Sequence, residues 1–231
     1  MKYIILSVSL IMTLWLFACV SGEIADSKDV AQSEIYTKYY ISMEEGEHNA
    51  LVEAVFRFGG TKGTSLILTD PSYISINGKK MKGTERLFTG YYYSELLRQP
   101  DDYQYVFTFY DYTGKKYENT FSLYPAGIDK PSSISQTSPT EISVKGLPLQ
   151  KNETFKLTII DTSGTEKTIK VNKTGTQKII VEPADVSELK QGPCKIYLTR
   201  EISLKPANCP QIGGIYEGTY KSKVRKSVIK K

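Results

Sequence analysis

Histidine is almost missing from this chain: His48 is the single copy in 231 residues. A serine-hydrolase triad would have to be built on that one imidazole, and a multi-histidine zinc site cannot be built at all. Cysteine is nearly as scarce, with three copies at Cys19, Cys194 and Cys209, none beside the histidine. The one tryptophan, Trp15, sits in the N-terminal apolar run. A net charge of +5 is mild for this length and argues against a dedicated nucleic-acid binder, which would concentrate a basic face. Helix is also scarce: ADVSELKQG (184–192) could make one turn. What acids there are form short clusters. Glu44, Glu45 and Glu47 precede His48, and Asp101 adjoins Asp102, but the Asp-rich spelling of an EF-hand is missing. Adjacent acids of this kind read as solvated turn residues, so neither metal, cofactor nor catalysis is expected.

What is there begins with MKYIILSVSLIMTLWLFA (1–18). It has one cation, Lys2, and an apolar stretch from Tyr3 to Ala18 broken by Ser7, Ser9 and Thr13. The stretch is short of the roughly 20 residues a membrane span needs, and no basic cluster follows it. A basic start, an apolar centre and a small final residue make a signal peptide. An uncleaved anchor helix, or a secretory signal with a chance cysteine after it, are the other readings. The end of the run, Leu16-Phe17-Ala18-Cys19, resembles the lipobox of bacterial lipoproteins. That resemblance implies cleavage after Ala18 and acylation of the Cys19 thiol and amino group. Three acyl chains exceed the two signals that stable anchoring takes. Val20 after the cysteine is not aspartate, which by the same analogy points to the outer membrane.

With the Cys19 thiol acylated, two cysteines are left to pair, Cys194 and Cys209, and an exported chain meets an oxidising compartment. The pair is expected to form a disulfide, closing a loop that contributes roughly 3 kcal/mol in the chain-entropy model. Two buried free thiols are the competing reading.

After a polar, acidic segment from Glu23 to Ser33, strand patterns dominate. Residues 103–110 (YQYVFTFY) alternate so that Tyr103, Tyr105, Phe107 and Phe109 share a face, and residues 117–124 put Phe121 and Leu123 together. Asp111-Tyr112-Thr113-Gly114 joins them as a hairpin turn. A second hairpin runs through Phe155, Leu157 and Ile159, turns at Asp161-Thr162-Ser163-Gly164 and returns through Ile169 and Val171. Both turns spell Asp-x-[Ser/Thr]-Gly: the carboxylate accepts local backbone bonds and glycine supplies the exit with positive φ. PSYISING (71–78) and PTEISVKG (139–146) match just upstream of each hairpin, so two related β units are expected. GIDKPSSISQTSP (127–139) between them lacks an apolar period.

The expected organisation is therefore a signal peptide (1–18), a lipidated flexible tether (19–33), a first β-sandwich domain (34–126), a linker (127–138) and a second β-sandwich domain (139–231). The fold class is all-β, two tandem antiparallel sandwiches. Lipobox, tether and tandem immunoglobulin-like β units together resemble the cell-envelope lipoproteins of Bacteroidetes-type bacteria. Members of that group serve many purposes, so the analogy implies a place more than a task.

Unit one carries extra length relative to unit two in an insertion at 79–102, which contains KGTERLFTGYYYSELLRQPDD (82–102) and so Tyr91, Tyr92 and Tyr93. Consecutive strand residues point to both faces, so at least one of these rings meets water. They are the candidate ligand-binding residues, the bland reading being tyrosine used for packing. Lys221, Lys223, Arg225, Lys226, Lys230 and Lys231 make the densest basic run. It reads as a final edge strand blunted by lysine, or as an attraction to anionic lipid or polysaccharide. The function these features point to is a lipid-anchored envelope protein that binds a polysaccharide or protein partner without catalysis. The alternative is a structural spacer or adhesin-type subunit acting by β-strand addition.

Overall fold

The computed structural model describes residues 23–86, 90–129 and 131–231; Cys19 and the signal segment lie outside them. The described chain is nearly all strand. Its first half contains β1 (Ile24–Asp26), β2 (Ile35–Glu44), β3 (Asn49–Phe58), β4 (Thr64–Ile67), β5 (Tyr73–Ile76), β6 (Lys79–Lys80), β7 (Lys82–Arg86), β8 (Gly90–Arg98), β9 (Gln104–Tyr110) and β10 (Lys116–Ser122). The second half contains β11 (Ala126–Ile128), β12 (Ile134–Ser135), β13 (Thr140–Gly146), β14 (Glu153–Ile160), β15 (Glu166–Val171) and β16 (Lys178–Val181). The single-turn helix α1 (Pro183–Val186) follows, then β17 (Gly192–Leu204), β18 (Gly214–Lys221) and β19 (Arg225–Lys230). The helix overlaps the segment expected to make one turn (184–192) and begins one residue before it.

One large sheet, ordered β1-β4-β3-β2-β18-β17-β14-β15, runs the length of the molecule. The β7–β8 hairpin adds to β3, and β19 with β12 adds to β17. Two small sheets cover its inner face, β10-β9-β5-β6 over one end and β11-β13-β16 over the other. The reason is period-two alternation. In β2, Ile35, Thr37, Tyr39, Ile41 and Met43 are buried while Tyr36, Lys38, Tyr40 and Ser42 face outward.

The first core is aromatic: Tyr39 meets Phe107 at 4.7 Å, Phe56 meets Phe109 at 4.6 Å, and Phe121 stacks on Tyr216 at 4.0 Å. The second is aliphatic, with Leu157, Ile159, Ile196 and Leu198 of the large sheet against Ile142, Val144, Ile179 and Val181.

The chain does not keep to the expected domain bounds. β18 pairs in parallel with β2, Gly214 opposite Thr37 through Lys221 opposite Glu44, and its Tyr216 and Tyr220 belong to the first core. β17 serves both cores. Its first half pairs with β19 and its second half with β18, while β14 runs along its other edge. Where β18 hands over to β19, buried Ser222 closes the gap: its N–H donates to Leu198 O and its Oγ accepts from Leu198 N, both at 2.8 Å.

Three further expectations are corrected. Residues 24–33 of the tether are docked: β1 pairs with β4, and fully buried Ser27 accepts from Thr69 N at 2.9 Å. The linker carries β12 and most of β11, and buries Ile128 and Ile134 in the second core. The matched spellings also mark different places: β5 pairs directly with β9, whereas β13 and β14 lie in different sheets.

The disulfide is not formed; both thiols are free. Cys194 lies opposite Ser227 in the second core, whereas Cys209 sits in the β17–β18 connection with its Sγ 3.8 Å from Pro206 O. β17 is 13 residues long, so it carries the chain roughly 33 Å from Cys194 before turning, and a disulfide needs Cα atoms within about 7 Å.

The two Asp-x-[Ser/Thr]-Gly turns do share one geometry. Asp111 Oδ1 accepts from Thr113 N (2.9 Å), Thr113 Oγ1 (2.7 Å) and Lys115 N (3.0 Å). Asp161 Oδ1 accepts from Ser163 N (2.8 Å), Ser163 Oγ (2.6 Å) and Thr165 N (3.0 Å). Gly114 and Gly164 exit at φ 82° and 85°.

Candidate functional site: the outer face of the large sheet

The acidic clusters are structural. His48 lies exposed between β2 and β3. Glu45 accepts from Lys223 N and Arg225 Nη2, both at 2.7 Å, clasping the C-terminal segment to the first core. Asp102 Oδ1 accepts from Gln104 N at 3.0 Å. Among the described residues no group of three or more His, Cys, Asp or Glu is placed to hold a metal.

The three consecutive tyrosines divide between faces. Tyr93 is a core side chain, edge-on to Phe56, and its hydroxyl accepts from Leu68 N at 2.7 Å; burial pushes its phenol pKa up. Tyr91 points the same way and packs partly buried against the core, 5.5 Å from Tyr93. Tyr92 points outward, and the Arg86 guanidinium lies over its ring at 3.5 Å. The alternation of β8 places them so, and the three rings do not share one face.

Arg200 is the buried charge that sequence reasoning missed. It forms a buried ion pair with Glu153, and its Nη1 and Nη2 donate to Leu147 O and Pro148 O, both at 3.1 Å. The Tyr124 and Phe155 rings flank it at 5.5 Å each. Glu153 also accepts from Gln150 N at 2.7 Å, so the pair fixes the 147–153 turn between the two cores. Beside it a 460 Å³ groove opens between β10 and the end of β17, lined among others by Phe121, Tyr124, Ile202 and Leu204.

The outer face of the large sheet offers a different kind of surface. Strand register aligns its side chains in rows. One row reads Ser94, Glu53, Tyr40, Glu217, Ser203 across β8, β3, β2, β18 and β17. The next reads Leu96, Leu51, Ser42, Thr219, Glu201, Thr154 and ends on β14.

Three concavities, of 290, 330 and 250 Å³, all border Tyr40. Charges on this face are paired across strands: Arg86 with Glu53 at 2.7 Å, Lys38 with Glu217 at 2.7 Å, and Lys156 with Glu201 at 2.6 Å. Tyr40 is thus a half-buried ring flanked by the ion-paired carboxylates of Glu53 and Glu217, beside hydroxyls of Ser42, Ser203, Thr154 and Thr219. Tyr36 lies four residues back on the same face, its phenol pKa raised by partial burial. The sequence signal for Tyr40 is the outward half of the β2 alternation, masked because Tyr39 beside it is equally aromatic.

No protein-family model matches the chain, and no curated protein sequence matches it. Among solved structures it is similar to dimeric latent PorU from Porphyromonas gingivalis, with 12% identity and a TM-score of 0.32 over 83% of this chain and 20% of that one. A tetra-tandem repeat from the extending region of a large adhesion protein gives 11% and 0.31, over 84% of this chain and 49% of that one. SGBP-B of the Bacteroides ovatus mixed-linkage glucan utilization locus, in complex with a mixed-linkage heptasaccharide, gives 13% and 0.25, over 84% and 61%. The chain thus spans less than two thirds of each of these structures. Scores of this size carry neither fold nor function across to it.

Proposed function

We propose that the chain is a non-catalytic binding module of the bacterial cell envelope, held at the outer membrane by lipid on Cys19. In this reading its β-sandwich units, immunoglobulin-like in style, present the outer face of the large sheet to a polysaccharide or protein partner. The observation that carries it is the convergence of three concavities on Tyr40, on a rigid sheet face with no covering element among the described residues. The spacer reading would instead use a free edge. β7, β10 and β15 are each paired on one side only, but they are five to seven residues long and each carries at least one lysine, which blunts an edge against strand addition.

The test is a photo-crosslinking residue placed at Tyr40 in the full chain in cells, with Thr120 on the exposed side of β10 as the comparison. Crosslinking to an envelope component from Tyr40 and not from Thr120 supports the reading; equal or no products at both positions overturn it. In the same cells Cys19→Ser is expected to move the protein out of the membrane fraction.

A further inference from the structure

We infer that the ligand of the Tyr40 face is a neutral, hydroxyl-rich glycan chain; this rests on the outer face being the binding surface.

Charge decides the class first. Glu53 and Glu217 flank Tyr40 on the strands to either side and Glu201 lies one strand further, each matched by one cation, Arg86, Lys38 and Lys156 respectively, while Glu44, Glu47 and Lys221 line the concavity towards the end of β2. The face therefore has no excess of cations to attract an anionic polysaccharide, and its carboxylates oppose one. A protein partner would find the wrong composition too. The buried centre of a protein interface is depleted in charge, whereas here three ion pairs and several hydroxyls occupy the centre.

A neutral glycan uses every one of these groups. A pyranose presents an apolar C–H face and a rim of hydroxyls, which fits a half-exposed phenol ring flanked by acceptors. Glu53 and Glu217 lie directly across from Tyr40 on the strands to either side. Arg86 engages Oε1 of Glu53 and Lys38 engages Oε2 of Glu217, so each carboxylate is oriented and has a second oxygen that can accept a sugar hydroxyl. The cations hold the carboxylates in place in the absence of ligand, which limits the ordering cost on binding. The row from Ser94 to Ser203 crosses five strands, roughly 19 Å at the usual strand spacing. That length suits an oligosaccharide segment rather than a single sugar.

The experiment is affinity electrophoresis and calorimetry of the full-length protein in detergent against soluble neutral polysaccharides (mixed-linkage β-glucan, xyloglucan, mannan, arabinan and levan). Pectin and heparin serve as anionic comparisons. The expected result is retention by at least one neutral polymer, insensitive to salt from about 50 to 500 mM. Tyr40→Ala should weaken it about tenfold at unchanged melting temperature, and Glu217→Gln should weaken it less. Binding to none of the neutral polymers, or only to pectin or heparin with steep salt dependence, overturns the inference. Neutral-glycan binding indifferent to Tyr40→Ala overturns the face itself as the site. Photo-crosslinking from Tyr40 to a protein, with no glycan bound, leaves the face standing and removes the glycan.

Discussion

Asp161 shows how much a single side chain does in a turn. Its carboxylate accepts from the Ser163 hydroxyl, from Lys190 N at 2.7 Å, and from Ser163 N and Thr165 N. The Ser163 hydroxyl first, then the Lys190 amide, hold its pKa at about 2, below the ordinary 3.8. The folded value lies below the unfolded one, so this contribution is fully present above about pH 4 and is lost as pH falls towards 2. Denaturant melts from pH 5 to pH 2 are expected to show Asp161→Asn less stable than the parent at the upper end, with the gap closing at the lower. A gap that stays constant across that range would mean the charge plays no part. Arg200 teaches the opposite lesson at the same scale. Its position was readable, because Ile196, Leu198, Arg200 and Ile202 fall on one side of a period-two strand. Its partner was not, because Glu153 is 47 residues away and charged residues are seldom fully buried.

At the scale of elements, the handover at Ser222 is where a side chain takes one place in the ladder beside β17. Ser222→Ala leaves Leu198 N buried with no acceptor, which costs about 1–3 kcal/mol. Thermal melting of the variant is expected to show that loss, and hydrogen exchange should place it at Leu198. A variant as stable as the parent would show that water or a backbone shift replaces the hydroxyl.

Hairpins were the most legible part of the fold, since each is decided by local alternation and by a turn whose Asp Oδ1 bonds close within four positions. Tyr105, Phe107, Phe109, Phe121 and Leu123 are buried as their spacing requires. Tyr103 leaves the expected row because its backbone turns at φ 58° just before β9. Pairings across long separations left no local mark. The parallel match of β18 to β2 depends on which sheet β18 reaches, and its outward-inward pattern would fit either core. The disulfide expectation failed for a similar reason: sequence spacing gives the length of the loop, but the unbroken run of β17 sets where its ends go. The Tyr40 face was hidden differently, because β2 is aromatic on both sides and its solvent row resembles its core row.

The whole molecule has two cores but one large sheet, and β14, β17 and β18 tie them. β17 carries Leu198 into the second core and Ile202 and Leu204 against the first. The two cores are therefore expected to open together. Leu157→Ala creates a cavity in the second core and costs about 2–5 kcal/mol. Native-state hydrogen exchange is expected to show the β2 and β3 amides losing protection by a comparable amount, although they lie in the first core. Unchanged protection of Tyr39 and Val52 would mean two independent folding units.

The contribution of β18 to the first core also sets a timetable. A chain delivered N-terminus first, from a ribosome or through a membrane channel, presents Tyr39, Phe56, Phe107 and Phe121 long before Tyr216 and Tyr220 arrive to cover them. The parallel pairing of Thr37 with Gly214 has to close a very large loop before it returns any stabilisation. Until residue 221 has emerged, the first half is an aromatic, half-open sandwich with the long edge of β2 unpaired. That interval favours a chain kept loose enough to be threaded onward.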